Sequence, residues 1–148
     1  FTRDLPRGGH HFVKELSDKK EIGYIESQDL LYKEGISASM DKDKKNESIS
    51  SVGIAERTVY DNLVEDLRRS LRFYAKQTGQ SFFLKVFLSG GSAPTLGLTE
   101  FVKNKLNIET SIFDPFENIE GVENLSVLNK SQFATALGLS IRAGMAHE

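Results

Sequence analysis

The sequence predicts an α/β fold, and three observations lead to that prediction. Residues 82–88 are almost continuously apolar, which is typical of a parallel strand that is covered on both faces. A glycine pair at 90–91, an apolar-periodic helix and a second apolar run at 108–113 follow it, an order that forms a right-handed β-α-β unit. Residues 55–77 show the period of an amphipathic helix.

Length and composition indicate one domain or two small lobes. The 148 residues are 39% hydrophobic and 27% charged, which is ordinary for a globular chain and excludes wholesale disorder. The formal net charge of −2 gives no argument for a nucleic-acid partner. The absence of cysteine excludes disulfides, thiol redox chemistry and Cys-ligated metals. No apolar run approaches the ~20 residues that span a bilayer, and no signal-peptide pattern is present.

The first forty residues predict a strand and two short helices. Residues 1–5 alternate loosely between apolar and polar, as an exposed strand does. A helix is expected over 10–16, with three side chains on its apolar side: Phe12, Val13 and Leu16. A second helix is expected from Ser27, whose hydroxyl caps it, to residue 34, with Gly35 as its stop.

Residues 37–51 predict a flexible loop, because they lack periodicity and have few apolar side chains. Asp41 and Asp43 suggest the start of a calcium loop. That interpretation fails because the fifth, sixth and twelfth loop positions hold the wrong residues, Lys45, Asn46 and Val52.

The helix over 55–77 carries one apolar stripe and ends at Gly79. The stripe comprises Tyr60, Val64, Leu67, Leu71 and Tyr74. The C-terminal half of the helix is cationic, with Arg68, Arg69, Arg72 and Lys76. Complementarity to the helix dipole explains these cations, and a phosphate or partner surface is the alternative.

The rest of the chain predicts the β-α-β unit and one final helix. Pro94 suits the first turn of the crossover helix, which ends near Asn107. Ser131 is expected to cap the final helix, which ends at Gly144. Its inward side chains are expected to be Phe133, Ala134, Leu137 and Ile141.

The turn after the apolar strand is the most suggestive chemical feature. It reads Leu88-Ser89-Gly90-Gly91-Ser92-Ala93. A strand ends there, two glycines allow a ligand to approach the backbone, and a helix is expected to begin with free N–H groups. By spacing alone, an ordinary tight connection between strand and helix is the alternative.

Other residues give no catalytic or metal site. His10 and His11 are adjacent but lack further ligands at suitable spacing, and zinc needs three or four. Ser89 and Ser92 flank the glycines without forming a nucleophile elbow. No pair of carboxylates is marked by its spacing as an acid and a base.

The turn at 88–93 resembles the adenosine motif of the actin, sugar-kinase and chaperone ATPase superfamily. Four other stretches are similar to the PilM family of actin-like type IV pilus assembly proteins. Residues 3–9 resemble its Arg-Asp-Ile-Pro-Ile-Gly-Gly segment, and 64–74 resemble its long helix. Residues 115–116 and 136–142 resemble its C-terminal Pro-Phe and Ala-Leu-Gly-Leu-Ala-Leu-Arg elements.

The resemblance implies an ATP site between two lobes. Gly90 and Gly91 are expected against the adenosine, with Ser92 and Ala93 lining the turn. The family's Ala-Glu-x-x-Lys near the ribose corresponds to residues 29–33. Lys33 therefore matches the family lysine.

One position of that motif departs from the family. Leu30 stands at the Glu position, which removes a hydrogen-bond acceptor for the ribose. The resemblance therefore implies weaker ribose recognition in this chain.

The superfamily holds the phosphates with two Asp-containing glycine hairpins. No Asp-x-Gly occurs in the sequence. Both hairpins, and any Asp that binds Mg, are therefore expected to precede Phe1 in an N-terminal lobe of the same protein. Gly8-Gly9 follows the place of the second hairpin; it either supports that hairpin or is an ordinary turn.

The expected architecture is the second, actin-like (ribonuclease H-like) lobe of a two-lobed protein. Residues 1–29 and 82–148 are expected to form its core, and 30–81 an inserted, mostly helical subdomain. The resemblance implies a cytoplasmic, nucleotide-binding scaffold, peripheral at the inner membrane, that binds the cytoplasmic tail of PilN and other pilus inner-membrane proteins. The alternatives are an ATPase like FtsA or the chaperones, and an interaction domain without nucleotide.

Overall fold

The computed structural model describes residues 1–40, 57–122 and 126–145. Within them, five α-helices, two strands and two 3-10 helices follow one another along the chain. They are α1 (Gly9–Lys20), α2 (Tyr24–Glu34), a 3-10 helix (Gly35–Ser39), α3 (Val59–Thr78), β1 (Lys85–Leu88), α4 (Leu98–Leu106), β2 (Glu109–Ile112), a 3-10 helix (Lys130–Phe133) and α5 (Ala134–Met145).

The sheet confirms the predicted β-α-β unit. β1 and β2 are parallel, with Lys85 opposite Glu109 and Leu88 opposite Ile112. α4 forms the crossover between them. Parallel neighbours require such a connection, because a tight hairpin can join only antiparallel strands.

β1 is shorter and more exposed than the apolar run predicts. Only four residues pair with β2, and residues 81–84 form no strand. Phe82 and Leu84 are exposed, and Phe87 in the middle of β1 is 58% exposed. The expectation of a strand covered on both faces is therefore wrong for the described residues, because these three side chains remain largely exposed.

The apolar core lies among the helices. α1 contributes the three residues predicted for it, and α3 contributes the N-terminal part of its stripe, Tyr60 and Val64. The buried residues of the core are Phe12, Val13, Leu16, Leu31, Ile36, Ala38, Val59, Tyr60, Val64, Leu98 and Val102. Tyr60 stacks on Phe12 with ring centroids 4.8 Å apart. Burial raises the pKa of the Tyr60 hydroxyl.

Residues 1–5 do not form the predicted strand. A strand requires a partner, and among the described residues only β1 and β2 pair with each other. The segment is attached to α3 instead. The Phe1 ring lies 5.4 Å from the Phe73 ring, and Arg7 Nε donates to Asp66 Oδ2 at 2.7 Å.

The first two helices begin differently from the prediction. α1 begins at Gly9 and continues through the polar residues 17–20, beyond the predicted range of 10–16. α2 starts at Tyr24, so Ser27 lies inside it rather than at its cap. The Ser27 hydroxyl is fully buried and donates to Gly23 O at 2.9 Å, which satisfies it without capping. Gly35 ends the helix as predicted.

α3 begins with a capping box. Thr58 Oγ1 accepts from the Asp61 N–H at 3.1 Å, while Asp61 Oδ2 accepts from the Thr58 N–H at 3.3 Å. The Val59 N–H donates to Glu15 Oε2 at 2.5 Å, which joins the start of α3 to α1. Gly79, in left-handed conformation, ends α3 as predicted.

The cations of α3 are largely paired. Arg68, Arg69 and Arg72 all lie within 4 Å of Glu65. Arg68 also donates to Lys105 O on α4. Local ion pairs therefore account for these three arginines, and the dipole interpretation of the cationic half stays a prediction.

α4 starts four residues later than predicted. Pro94 lies in a turn, and the helix begins at Leu98 after Gly97, whose φ of 80° is left-handed. The 3-10 helix after α2 fixes this delay, because the Ile36 N–H donates to Leu96 O at 3.0 Å. The N–H groups of α4 are therefore not placed at the glycine turn.

The last helix is less buried than predicted. Ser131 lies in a 3-10 turn, and α5 begins at Ala134. Phe133 and Ile141 are exposed rather than inward. None of the helices in the described ranges is long and apolar enough to cross a bilayer.

The division into 1–29 with 82–148 and 30–81 stays a prediction. The loop predicted over 37–51 lies outside the described residues from position 41 onward. Its first residues belong to the 3-10 helix, where Ala38 and Ser39 are buried.

Candidate functional site

A cavity of about 250 Å³ lies where α1, α2 and the turn after β1 meet. Its lining combines small, aromatic and amide side chains. The lining residues are Gly9, His10, Val13, Tyr24, Gln28, Leu31, Tyr32, Ser92 and Thr95. Among the described residues, Lys, Arg, Asp and Glu are absent from this lining, so the cavity suits an uncharged group.

One face of α2 forms a wall of the cavity. Tyr24, Gln28, Leu31 and Tyr32 follow one another at spacings of four, three and one, and therefore lie on the same side of the helix. Leu31 is buried in the core and fixes the rotation of α2. The two tyrosines lie one turn to either side of Gln28, and both are substantially exposed.

A bridge between α1 and α2 closes one side. His10 Nδ1 lies 3.1 Å from the Tyr24 hydroxyl, and their rings are 5.4 Å apart. The neighbouring His11 has another task, since its Nδ1 accepts from the Gly8 N–H at 3.1 Å at the start of α1. The described residues contain no group of three or more His, Cys, Asp or Glu placed to bind a metal.

Gly9 permits α1 to touch the glycine turn. A Cβ at Gly9 would overlap the Ser92 hydroxyl. Thr95 Oγ1 donates to Ser92 O at 2.8 Å, which holds the turn next to α1. Gly8 is thus the N-cap of α1, and Gly9, the first residue of the helix, lines the cavity.

The two glycines of the turn differ in their backbone. Gly90 has a φ of 102°, a conformation that side-chain-bearing residues rarely adopt. Gly91 lies outside the left-handed region, and a Cβ built on it meets nothing within 4 Å. The first glycine is therefore required by the turn, while the second leaves open space beside it.

The turn is held from behind by residues 129–131. The Gly90 N–H donates to Ser131 O at 3.1 Å, and Ser131 Oγ donates to Gly90 O at 2.9 Å. Asn129 Nδ2 donates to Gly91 O at 2.9 Å. These bonds engage both glycine carbonyls, so the outer side of the turn is presented in one conformation.

An ion pair from Lys130 to Asp114 fixes the position of residues 129–131. Lys130 Nζ lies 3.2 Å from Asp114 Oδ2, and Asp114 Oδ1 accepts from the Phe116 N–H at 2.9 Å. The Phe116 N–H and the Lys130 ammonium hold the pKa of Asp114 below its ordinary value.

The structure brings some of the predicted site residues together. Ser92 lines the cavity, Gly90 and Gly91 precede it in the turn, and Ala93 is buried beneath the turn. Lys33 lies on α2 next to Tyr32, but it is exposed and outside the lining. Leu30, at the family Glu position, packs against the core.

Sequence reasoning missed most of the aromatic and amide lining. His10, Tyr24, Gln28 and Tyr32 belong to no motif, so residue type alone did not mark them. The spacing of the last three on one helix face was the available signal, because the buried Leu31 shares that face.

Comparisons with known proteins bear on the family and the fold of the chain. The family model described as "Type IV pilus assembly protein PilM" matches residues 1–144. No curated protein sequence matches the chain. A solved PilM–PilN type IV pilus biogenesis complex contains a chain similar to this one, with 22% identity and a TM-score of 0.67.

That likeness covers 95% of this chain and 38% of the solved chain. At this identity it shows the fold, and it confirms the predicted actin-like α/β class. The family is shown by the match over nearly the whole sequence. The chain belongs to the PilM family of type IV pilus assembly proteins.

Proposed function

We propose that the protein acts in type IV pilus assembly as a nucleotide-binding scaffold. This chain supplies the adenosine side of its ATP site. The family match supports the assembly role. The observation that carries the nucleotide role is the cavity that borders the Gly90-Gly91 turn.

The size and chemistry of the cavity suit part of a nucleotide. Pockets for drug-sized ligands hold about 300–1,000 Å³, and this cavity of about 250 Å³ is smaller. The lining residues that the structure describes include no Lys, Arg, Asp or Glu, which fits a base better than phosphates. The phosphates, with any Mg, are then held by residues outside this sequence. We therefore expect the isolated 148 residues to bind ATP poorly.

The open space beside Gly91 supports contact with the sugar or base. No described side chain occupies the position of a Cβ there. The carbonyls of Gly90 and Gly91 bond to Ser131 and Asn129, so the backbone is already ordered before a ligand arrives. Preorganisation of this kind reduces the entropic cost of binding.

The proposed partner is the cytoplasmic tail of PilN. The similar solved chain comes from a PilM–PilN complex, which supports the pairing for this family member. Contact with that tail and with other pilus inner-membrane proteins would place the protein at the cytoplasmic face of the inner membrane, without insertion.

Substitution of Gly91 tests the nucleotide role in the full-length protein. Gly91→Val fills the open space and is expected to weaken ATP binding about tenfold or more in calorimetry, because the side chain overlaps the ligand. Gly138→Val on α5 is the matched control, since a Cβ there also meets no described atom. Unchanged ATP affinity in a folded Gly91→Val protein would contradict the proposal.

The two alternatives give different results with the wild-type protein. Bound but unhydrolysed ATP supports the scaffold, whereas rapid turnover identifies an ATPase of the same fold. A protein that retains its PilN partner but binds no ATP is an interaction domain without nucleotide.

A further inference from the structure

We infer that Gln28 recognises the edge of the purine base, and that it selects adenine through the exocyclic amine. This inference rests on the proposed nucleotide role of the cavity. It concerns a residue that belongs to none of the motifs described above.

Gln28 is placed and available for this contact. It lines the cavity in the middle of the α2 face and is half-buried. Its amide has no hydrogen-bond partner within the described part of the chain, whereas the nearby Tyr24 hydroxyl and Thr95 hydroxyl are both engaged. A half-buried amide that lacks a protein partner favours a ligand that offers both a donor and an acceptor.

The side chains around Gln28 favour a flat aromatic ligand. Tyr24 and Tyr32 lie one helical turn before and after it, and Leu31 and Val13 add apolar surface. Bases stack on aromatic side chains regardless of their sequence identity. The tyrosine rings therefore provide affinity for any base, and the Gln28 amide provides the selectivity between bases.

The amide of glutamine matches adenine on one edge. It accepts from the N6 amine and donates to the adjacent ring nitrogen, the bidentate pairing that glutamine makes with adenine. Guanine presents two acceptors, O6 and N7, on the corresponding edge, and the amide oxygen then faces an acceptor. The Gln28 amide, with one donor and one acceptor side by side, is therefore expected to bind adenine more tightly than guanine.

The contact is tested by removing the N6 amine from the ligand and the Gln28 amide from the protein. The ligands are ATP and purine riboside triphosphate, which lacks the N6 amine. The protein variants are Gln28→Leu and, as the control, Gln77→Leu at the exposed end of α3. Calorimetry on the full-length protein measures the affinity of wild type and of each variant for both ligands.

Wild type and Gln77→Leu are expected to prefer ATP about fivefold, the size of a neutral hydrogen bond. Gln28→Leu is expected to bind the two ligands equally. Retention of the full preference in Gln28→Leu would overturn the inference while ATP binding itself upholds the proposed function. A wild type that binds neither triphosphate would overturn both.

A second variant keeps the test valid if Gln28→Leu does not fold. Gln28→Glu preserves the shape and the acceptor for N6 but loses the donor. It is expected to bind ATP more weakly than wild type by a similar factor while it still prefers ATP over the ligand without the amine. An ATP affinity equal to that of wild type would overturn the inference.

Discussion

Two regions of the chain differ: a helical half, comprising α1 to α4, and a sheet half, comprising β1, β2, the turn at 89–95 and the segment from 129 through α5. Both contain apolar stretches in the sequence, but the apolar side chains of the helical half are buried more completely. In the helical half, α1 to α4 bury Leu16 completely and Val64 almost completely. In the sheet half, Phe87 on β1 is 58% exposed and Leu139 on α5 is 60% exposed. An apolar sequence pattern thus predicts a surface suited to burial, but it does not show which other element packs against that surface.

The candidate site lies at the boundary of the two halves. The helical half contributes Gln28 and its neighbours on a face fixed by the buried Leu31. The sheet half contributes Ser92 and Thr95 from a turn fixed by residues 129–131. The α2 face and the hydrogen-bonded turn therefore meet at the cavity. Substitutions in the two halves should differ in their effect on stability.

The largest expected difference is between two leucines. Leu16→Ala should lower the free energy of unfolding by about 2–5 kcal/mol, because it leaves a cavity in the core. Leu139→Ala should cost less than about 0.5 kcal/mol, because its side chain is exposed. Urea unfolding of the 148-residue chain measures both. Equal losses would remove the distinction between the halves.

The glycine turn allows a similar comparison inside the sheet half. Gly90→Ala should destabilise by about 1–2 kcal/mol, since its φ of 102° strains an L-residue. Gly91→Ala meets no atom and should change stability by less than about 0.5 kcal/mol. Thermal unfolding of the two variants is the measurement. A loss at Gly91 that matches the loss at Gly90 would show that the turn has another conformation.

The start of α3 should give a smaller effect. Thr58→Ala removes the side-chain acceptor of the capping box and should cost about 1 kcal/mol. Thr135→Ala, at an exposed position on α5, is the control and should be close to neutral. Denaturant unfolding compares them. No loss in Thr58→Ala would mean that α3 does not begin at this box.

The smallest effect concerns Asp114 and depends on pH. Its folded pKa lies below the ordinary value of 3.8, so the carboxylate stabilises the fold at neutral pH. That contribution should disappear as the pH falls from the ordinary value through the lowered folded one. Asp114→Asn should therefore reduce thermal stability slightly at pH 7 and lose this effect once the pH falls below the lowered folded pKa. An effect independent of pH would exclude the ionised carboxylate as the cause.

The sequence predicted the fold class and most helices, because periodicity and glycine stops are local signals. Phe12, Val13 and Leu16 are buried as expected, and Gly35 and Gly79 end their helices. These features depend on neighbours within a few residues along the chain, which a sequence displays directly.

Long-range contacts explain where the sequence prediction failed. The start of α4 depends on the bond from the Ile36 N–H to Leu96 O, sixty residues away in the chain. Ser131 looked like a helix cap but bonds to Gly90 across the fold. The lining residue Gln28 carried no motif, since its role depends on what α2 faces.

The location of the adenine base tests the account most directly. 2-Azido-ATP bound to the full-length protein and photolysed attaches to the residues that contact the base, and mass spectrometry identifies the labelled peptide. The account predicts labelling, prevented by excess ATP, within residues 24–32 or 92–95. Labelling that excess ATP prevents, found only outside these segments and the start of α1, would contradict it.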